Sequence, residues 1–200
     1  MPQTIDMRAA VDTPMLQGRQ RGREHFVRIC DRSTNLRCGN IVLLDFFACE
    51  TLTGSWINTA IVPFYRWAAE SSNDLFPVLI NVRPEWVEEF DVVGSWNSQA
   101  YLIADRNAHT GTVVGKLESP YLETYEAVIK LHDATGAKIV RHWNQPEIKA
   151  TAVNNRLKEL NTMRLLLRRK YGREQIYRSV YQEVDRDGRQ LFTRTVQESA

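Results

Sequence analysis

Apolar residues recur along this chain in two rhythms, and each rhythm predicts its own kind of element. Residues 41–47 (Ile-Val-Leu-Leu-Asp-Phe-Phe), 76–82 and 99–104 are near-continuous apolar runs rich in branched side chains. Runs of this kind predict strands buried on both faces. Helical spacing lies between them. Residues 20–32 place Phe26, Val27, Ile29 and Cys30 inward, and 55–69 place Trp56, Ala60, Phe64 and Trp67 near one side. Pro63 falls inside the second stretch and predicts a kink or a late start. Pro84 opens a third helix carrying Trp86, Val87, Phe90 and Val93. A first strand is expected within 3–11, and Cys38-Gly39-Asn40 breaks the chain. The βαβαβ order predicts a layered α/β sheet with helical crossovers.

The rhythm after residue 117 is helical, then alternating. Ser119-Pro120 predicts an N-cap and a first-turn proline. The helix they open covers 121–134, buries Leu122, Tyr125 and Ile129, and stops at Thr135-Gly136. A short helix comes next at 138–144, and Pro146 separates it from another. In 151–160, Val153, Leu157 and Leu160 fall at i, i+4 and i+7, while Thr151, Asn155, Lys158 and Thr162 occupy the opposite face. A basic hairpin comes after it, its tip at Tyr171-Gly172 flanked by Arg168, Arg169, Lys170 and Arg173. The turn-prone stretch 105–117 is expected to be the main hinge. In 181–192, Asp187-Gly188 signals a hairpin turn. It leaves two readings open, an added edge hairpin or pairing with a second chain.

Charge sharpens the picture. Residues 147–182 hold nine Lys/Arg against three acids, a net of +6, whereas 41–104 hold two Arg against eight acids, a net of −6. The whole-chain balance of +2 conceals this separation. Either one half meets a polyanion, or the two halves pack together through charge. With 200 residues, 43% of them hydrophobic, the chain can bury a sizeable core. It has no run of 18 apolar residues and no secretory pattern at its start, so a cytoplasmic protein without a membrane span is expected. Cys30, Cys38 and Cys49 lack metal-ligand spacing and read as reduced thiols. His109, His132 and His142 are scattered, so neither metal nor cofactor is expected. No nucleophile, base and acid cluster or Walker-type loop is present, which disfavours an enzyme acting on nucleic acid or nucleotides.

Residues 118–182 resemble the winged helix-turn-helix of small bacterial and phage regulators. Thr151, Val153, Asn154, Asn155, Leu157 and Leu160 carry the resemblance: a Thr start, a buried Val, polar residues, then two Leu three apart. Met163-Arg164 stands where such families usually have Gly. The resemblance implies a DNA reader. Thr151, Asn154, Asn155 and Lys158 would meet base edges. Arg156, Arg168, Arg169, Lys170 and Arg173 would anchor phosphates, Arg156 least clearly because it adjoins the apolar stripe.

Residues 15–105 resemble the STAS-like α/β family, relatives of anti-sigma-factor antagonist domains. The residues behind this are Arg19, Gly22 and Arg23 at a helix opening, Leu44-Asp45-Phe46 closing a strand, 50–56 (Glu-Thr-Leu-Thr-Gly-Ser-Trp), and 79–86. The resemblance implies a non-catalytic binding or switching module, with Thr53 and Ser55 as regulatory candidates near the bend phosphorylated in that family. The family's usual Asp-Ser pair is absent here. Read by themselves, Asp45 is expected to cap its own loop, Ser55 to cap a helix, and Arg19, Arg21 and Arg23 to form a solvated arm.

The expectation is therefore two domains: residues 1–110, a STAS-like α/β module, and 111–200, a winged helix-turn-helix with a C-terminal hairpin. The expected function is non-catalytic binding of double-stranded DNA, as a transcriptional regulator that takes a ligand or protein on its acidic α/β half and pairs as a homodimer. The alternative is a protein-interaction switch partnering a kinase-like ATPase.

Overall fold

The structure, a computed structural model, describes residues 2–105, 110–144 and 147–182. The chain divides into two compact units, Met1–Leu117 and Glu118–Ala200.

In the first unit the strands β1 (Gln3–Asp6), β3 (Ile41–Asp45), β5 (Phe76–Ile80), β6 (Ala100–Asp105) and β7 (Thr110–Gly115) form one sheet in that spatial order. The first four run parallel and β7 returns antiparallel to β6. Helices α1 (Met7–Val11), α2 (Arg19–Ser33), α3 (Gly54–Ala69) and α4 (Pro84–Asn97) lie in the connections. Two short strands, β2 (Met15–Leu16) and β4 (Thr51–Leu52), pair parallel beside them. Register aligns Ile5, Leu44, Leu79 and Ile103 in one row across the four parallel strands. Successive strand residues alternate faces, so this row marks one face. It shares a single core with Ile29 of α2, Trp56 and Phe64 of α3, and Trp86 and Phe90 of α4. The expected layered α/β sheet is present, and its central strands β3 and β5 are apolar and almost wholly buried.

Several local expectations are corrected. The first strand stops at Asp6 rather than running to residue 11, because the Asp6 carboxylate accepts the Ala9 N–H at 3.1 Å and starts α1. In α2 the inward residues are Gly22, His25, Ile29, Cys30 and Ser33, so Ile29 and Cys30 are inside as expected, while Val27 is 54% exposed. Pro63 sits inside an uninterrupted α3. Thr53, not Ser55, is the α3 N-cap residue. The stretch expected to be the main hinge contains β7, and the division falls after Leu117 instead of after residue 110. The hairpin signalled by Asp187-Gly188 and the residue His109 lie outside the described residues.

A buried polar pair ties α2 to α3. The Trp56 indole N–H donates to His25 Nδ1 at 2.9 Å, and both side chains are buried. Burial lowers the His25 pKa from its usual 6.5, and the Arg28 charge lowers it further. The fold thus favours neutral imidazole, whose Nδ1 must stay unprotonated to accept. Because the folded pKa is depressed, the stabilisation is fully present above the unfolded value and is lost as pH falls below it. The melting temperature is expected to drop as pH falls below about 6.5. A His25→Gln chain, less stable throughout, should lack that component. An equal drop in both proteins would place the titration on other groups.

Candidate nucleic-acid interface

The second unit is built from α5 (Ser119–Leu131), α6 (Gly136–Trp143), α7 (Ala150–Thr162) and a hairpin of β8 (Leu166–Tyr171) and β9 (Glu174–Ser179). Glu118 is the α5 N-cap, so Ser119 stands in the first turn instead of at the cap, and Pro120 is in the first turn as expected. Leu122, expected inside, is 41% exposed. Thr124, Tyr125, Ala127 and Val128 face inward. The Thr135 hydroxyl caps α6 by accepting the Lys138 N–H at 3.3 Å. Between α5 and α6, Ala134 exchanges two backbone hydrogen bonds with Tyr177 of β9, at 2.9 and 2.8 Å. This lone antiparallel pair adds a third, one-residue rung beside the hairpin. It is flanked by Arg178, whose guanidinium grips the Asp133 carboxylate at 2.7–3.0 Å. The Tyr125 and Ser179 hydroxyls lie 3.1 Å apart and join α5 to β9.

Helix α7 matches its sequence pattern closely. Val153, Leu157 and Leu160 are fully buried. Thr151, Asn155, Lys158 and Thr162 are exposed on the other side. Asn154 is exposed too, but it stands at the crossing with α6. A Cβ on Gly136 would overlap Asn154 Oδ1 and lie 2.9 Å from the Ala150 carbonyl. Glycine at 136 therefore permits the close approach of the two helices, and Asn154 is partly a packing residue. Arg156 is half-buried beside the stripe.

The end of α7 resolves the missing glycine. Arg164 adopts φ +65°, the left-handed conformation. Its N–H donates to the Asn161 carbonyl at 3.0 Å, and the Leu165 N–H donates to the Leu160 carbonyl at 3.0 Å. These are the two bonds of a Schellman closure, and the buried pair Leu160 and Leu165 supplies its hydrophobic contact. Arginine in this conformation costs roughly 1 kcal/mol relative to glycine. The Asn161 amide adds a bond to the Leu166 carbonyl at 2.7 Å and directs the chain into β8.

The hairpin closes through the two-residue loop Gly172-Arg173, with Gly172 at φ +60°. Glycine at the first loop position suits a type II′ turn. Alternation along β8 then separates the cations. Arg168 and Lys170 share one face, Arg169 and Tyr171 the other, and Arg173 stands at the tip. All four cations are exposed. Arg168 lies opposite Tyr177 across the hairpin, and its charge tempers the rise that burial gives the Tyr177 phenol pKa. Arg141 in the last turn of α6 and Lys149 at the α7 N-cap are further exposed cations that the sequence pattern did not single out. Their only signal was the local excess of positive charge.

The remaining candidates lie in the first unit. Asp45 accepts the Phe47 N–H at 3.0 Å and an Asn81 amide N–H at 2.5 Å, so it caps its own loop and joins two strand ends. The Thr53 and Ser55 hydroxyls lie 3.2 Å apart at the start of α3. A Cβ on Gly54 would come within 2.6 Å of the Glu89 carboxylate, so negative charge already stands at this helix end. A phosphate on either hydroxyl would be repelled by it. Arg19, Arg21 and Arg23 are exposed along the first turns of α2. Burial pushes the Cys30 and Cys49 thiols up to about 12, which withdraws them as nucleophiles near neutral pH. Among the described residues, no group of three His, Cys, Asp or Glu could hold a metal ion, and no helix is long and apolar enough to cross a membrane.

The burial of α7 predicts a contrast in stability. Leu157→Ala should cost about 2–5 kcal/mol through lost burial and the cavity it leaves. Asn155→Ala should change stability by no more than about 0.5 kcal/mol. Denaturant melts of the two variants check this. The reverse ranking would mean that the polar face of α7 is the packed one.

No protein-family model matches this chain, and no match is found among curated proteins or solved structures, so the role of this surface is argued from its own geometry and charge.

Proposed function

We propose that the protein is a non-catalytic, cytoplasmic DNA-binding regulator of transcription. In this reading the second unit is a winged helix-turn-helix and the first a STAS-like module that binds a ligand or protein. The observation that carries it is the combination at α7 and the hairpin. A helix with a fully buried apolar stripe turns an uncharged-to-cationic polar face outward, and it runs through a tight closure into a two-stranded hairpin tipped with cations. The order α5, one-residue rung, α6, α7, β8, β9 is the order a winged helix requires.

Under this reading α7 enters the major groove of double-stranded DNA. Thr151, Asn155 and Lys158 meet base edges, with Asn154 at the margin beside α6. An Asn side chain can bond adenine through two hydrogen bonds. Lys170, Arg173, Arg168 and Arg169 approach phosphates from the wing, and Arg156 does so from the helix flank. Since the wing's cations divide between two faces, either Arg168 and Lys170 or Arg169 alone, with Arg173, can address the same backbone strand. Arg178 is held by Asp133 and belongs to the scaffold.

A second reading has its own observation. Helix α4 exposes Glu85, Glu88, Glu89 and Val92, and Trp96 is 81% exposed at its end. A large exposed aromatic amid acids is a feature of interaction surfaces. It favours a protein-interaction switch whose acidic half docks a partner such as a kinase-like ATPase. Both readings accommodate a homodimer.

A titration of short duplexes against the full chain at several salt concentrations tests the leading reading. Log affinity should fall linearly with log salt. Lys170→Ala or Arg173→Ala should weaken binding on every sequence and lower the slope by about one each. Asn155→Ala should leave the slope unchanged and reduce discrimination between sites by about 1–3 kcal/mol. Absence of duplex binding even at low salt would overturn the DNA reading and leave the protein switch.

A further inference from the structure

A groove of about 330 Å³ opens on the first unit where α2 and α3 meet. Its position depends on one glycine. Gly22 lies so close to α3 that a Cβ would overlap the Thr59 hydroxyl and sit 3.2 Å from the Trp56 carbonyl. Beyond this contact the groove is walled by Arg23 and Phe26 of α2 and by Asn58, Pro63 and Arg66 of α3. Asn97, the last residue of α4, closes it.

The polar groups of this groove are arranged as donors. Asn97 Nδ2 donates to Asn58 Oδ1 at 2.8 Å and to the Val93 carbonyl at 2.9 Å. That arrangement fixes the Asn58 amide with its oxygen occupied and leaves its two N–H groups to donate. The Thr59 hydroxyl is the exception, since it spends its one proton on the Ser55 carbonyl at 2.9 Å and offers no donor to the groove. Arg23 and Arg66 come from different helices, and among the described residues no carboxylate forms an ion pair with either. The placement of Arg66 stands out against its surroundings, since only Arg66 and Arg83 offset eight acids in residues 41–104. Arg83 is committed to the Cys49 carbonyl at 2.8 Å and to the Trp86 ring. Arg66 instead faces a groove that already holds a second guanidinium. Two like charges lining one small groove repel each other unless an anion lies between them. The other wall is apolar, formed by the half-buried ring of Phe26 together with Val62 and Pro63.

We propose that this groove binds a small phosphorylated ligand bearing a flat ring. The Arg23 and Arg66 guanidiniums clamp the phosphate through charge-assisted bonds, the Asn58 amide donates to it, and the ring lies against Phe26 and Pro63. The inference rests on the reading of the first unit as a binding module and names the ligand class for that module. It does not require the second unit to read DNA.

The test uses the full chain with AMP, inorganic phosphate, pyrophosphate and adenosine, measured by calorimetry and by thermal melting. AMP is expected to bind and to raise the melting temperature, to bind more tightly than inorganic phosphate, and to outperform adenosine. Arg23→Gln and Arg66→Gln should each weaken AMP binding about tenfold without lowering the unliganded melting temperature, because both side chains are exposed and each substitution removes like-charge repulsion. Asn58→Ala gives an independent check if either arginine variant fails to fold. Lys170→Ala should leave AMP binding intact. Absence of binding by every phosphorylated probe would overturn the proposal. So would binding unchanged in both arginine variants, adenosine binding as tightly as AMP, or loss of AMP binding in Lys170→Ala. The duplex titration fails separately: loss of DNA binding with an intact AMP response refutes the DNA reading alone.

Discussion

Burial of Val153, Leu157 and Leu160 is the constraint on which the proposed interface depends. Three fully buried residues at helical spacing leave α7 a single rotational setting. A rotation that turned Asn155 inward would expose Leu157 and bury an amide without a partner, and both changes are unfavourable. The polar face is therefore a consequence of the apolar one. The same stripe also governs the chain beyond the helix. Leu160 pairs with Leu165 across the closure at Arg164, so the residue that fixes the helix's rotation also fixes where the chain reverses. From there the Asn161 bond to Leu166 and the Val180 N–H bond to Leu165 set the root of the hairpin. The cationic tip contributes little packing of its own, and its placement is inherited from this root.

The first unit rests on a different constraint. Its sheet order is almost the chain order, so each parallel pair forms between strands joined by a single crossover region. Crossovers of one hand between successive strands place their helices on the same face. The shared core of α2, α3, α4 and the Ile5, Leu44, Leu79 and Ile103 row agrees with that arrangement. Close helix packing on this face needs small residues where backbones meet. Gly22 serves α2 against α3, and Gly94 of α4 meets Gly115 and the Gln99 carbonyl at the edge of β7. The groove with two arginines exists because α2 and α3 touch tightly at Gly22 and are kept apart next to it by larger side chains.

Elements whose own side chains decide their burial were legible in the sequence. The short apolar runs of β3 and β5, rich in branched residues, suited buried strands, and the α7 stripe marked both the helix and its exposed face. What escaped was decided by single hydrogen bonds or by partners distant in sequence. Asp6 ends a strand and starts a helix by accepting one N–H, which apolar periodicity cannot register. His25 is inside α2 because Trp56, 31 residues away, donates to it. Val27, the better hydrophobe, is left outside. Strand β7 is rich in Thr and Gly and reads as a turn until β6 pairs with it. The rung at Ala134 is one residue long and has no pattern at all. Of the candidate interface, the exposed positions of α7 and the hairpin tip were legible, but the division of the wing's cations between two faces required the register of the hairpin.

Charge in the second unit is notable for what it is not used for. A basic segment can be neutralised within its own fold, as Arg178 is by Asp133. That pair sits at the base of the hairpin beside the Ala134 and Tyr177 rung, where holding two elements together is useful. Lys158, Lys170 and Arg173 point to solvent instead, and Glu159 and Glu174 nearby are too few to offset them. Exposed like charges destabilise a compact unit by mutual repulsion, an effect that salt screens. Packing does not require them at these positions, because Leu157, Leu166 and Tyr177 already hold the unit together. Cations that cost stability and bury nothing are readily explained if the unit meets an external polyanion, which relieves their repulsion and releases the counterions gathered on it.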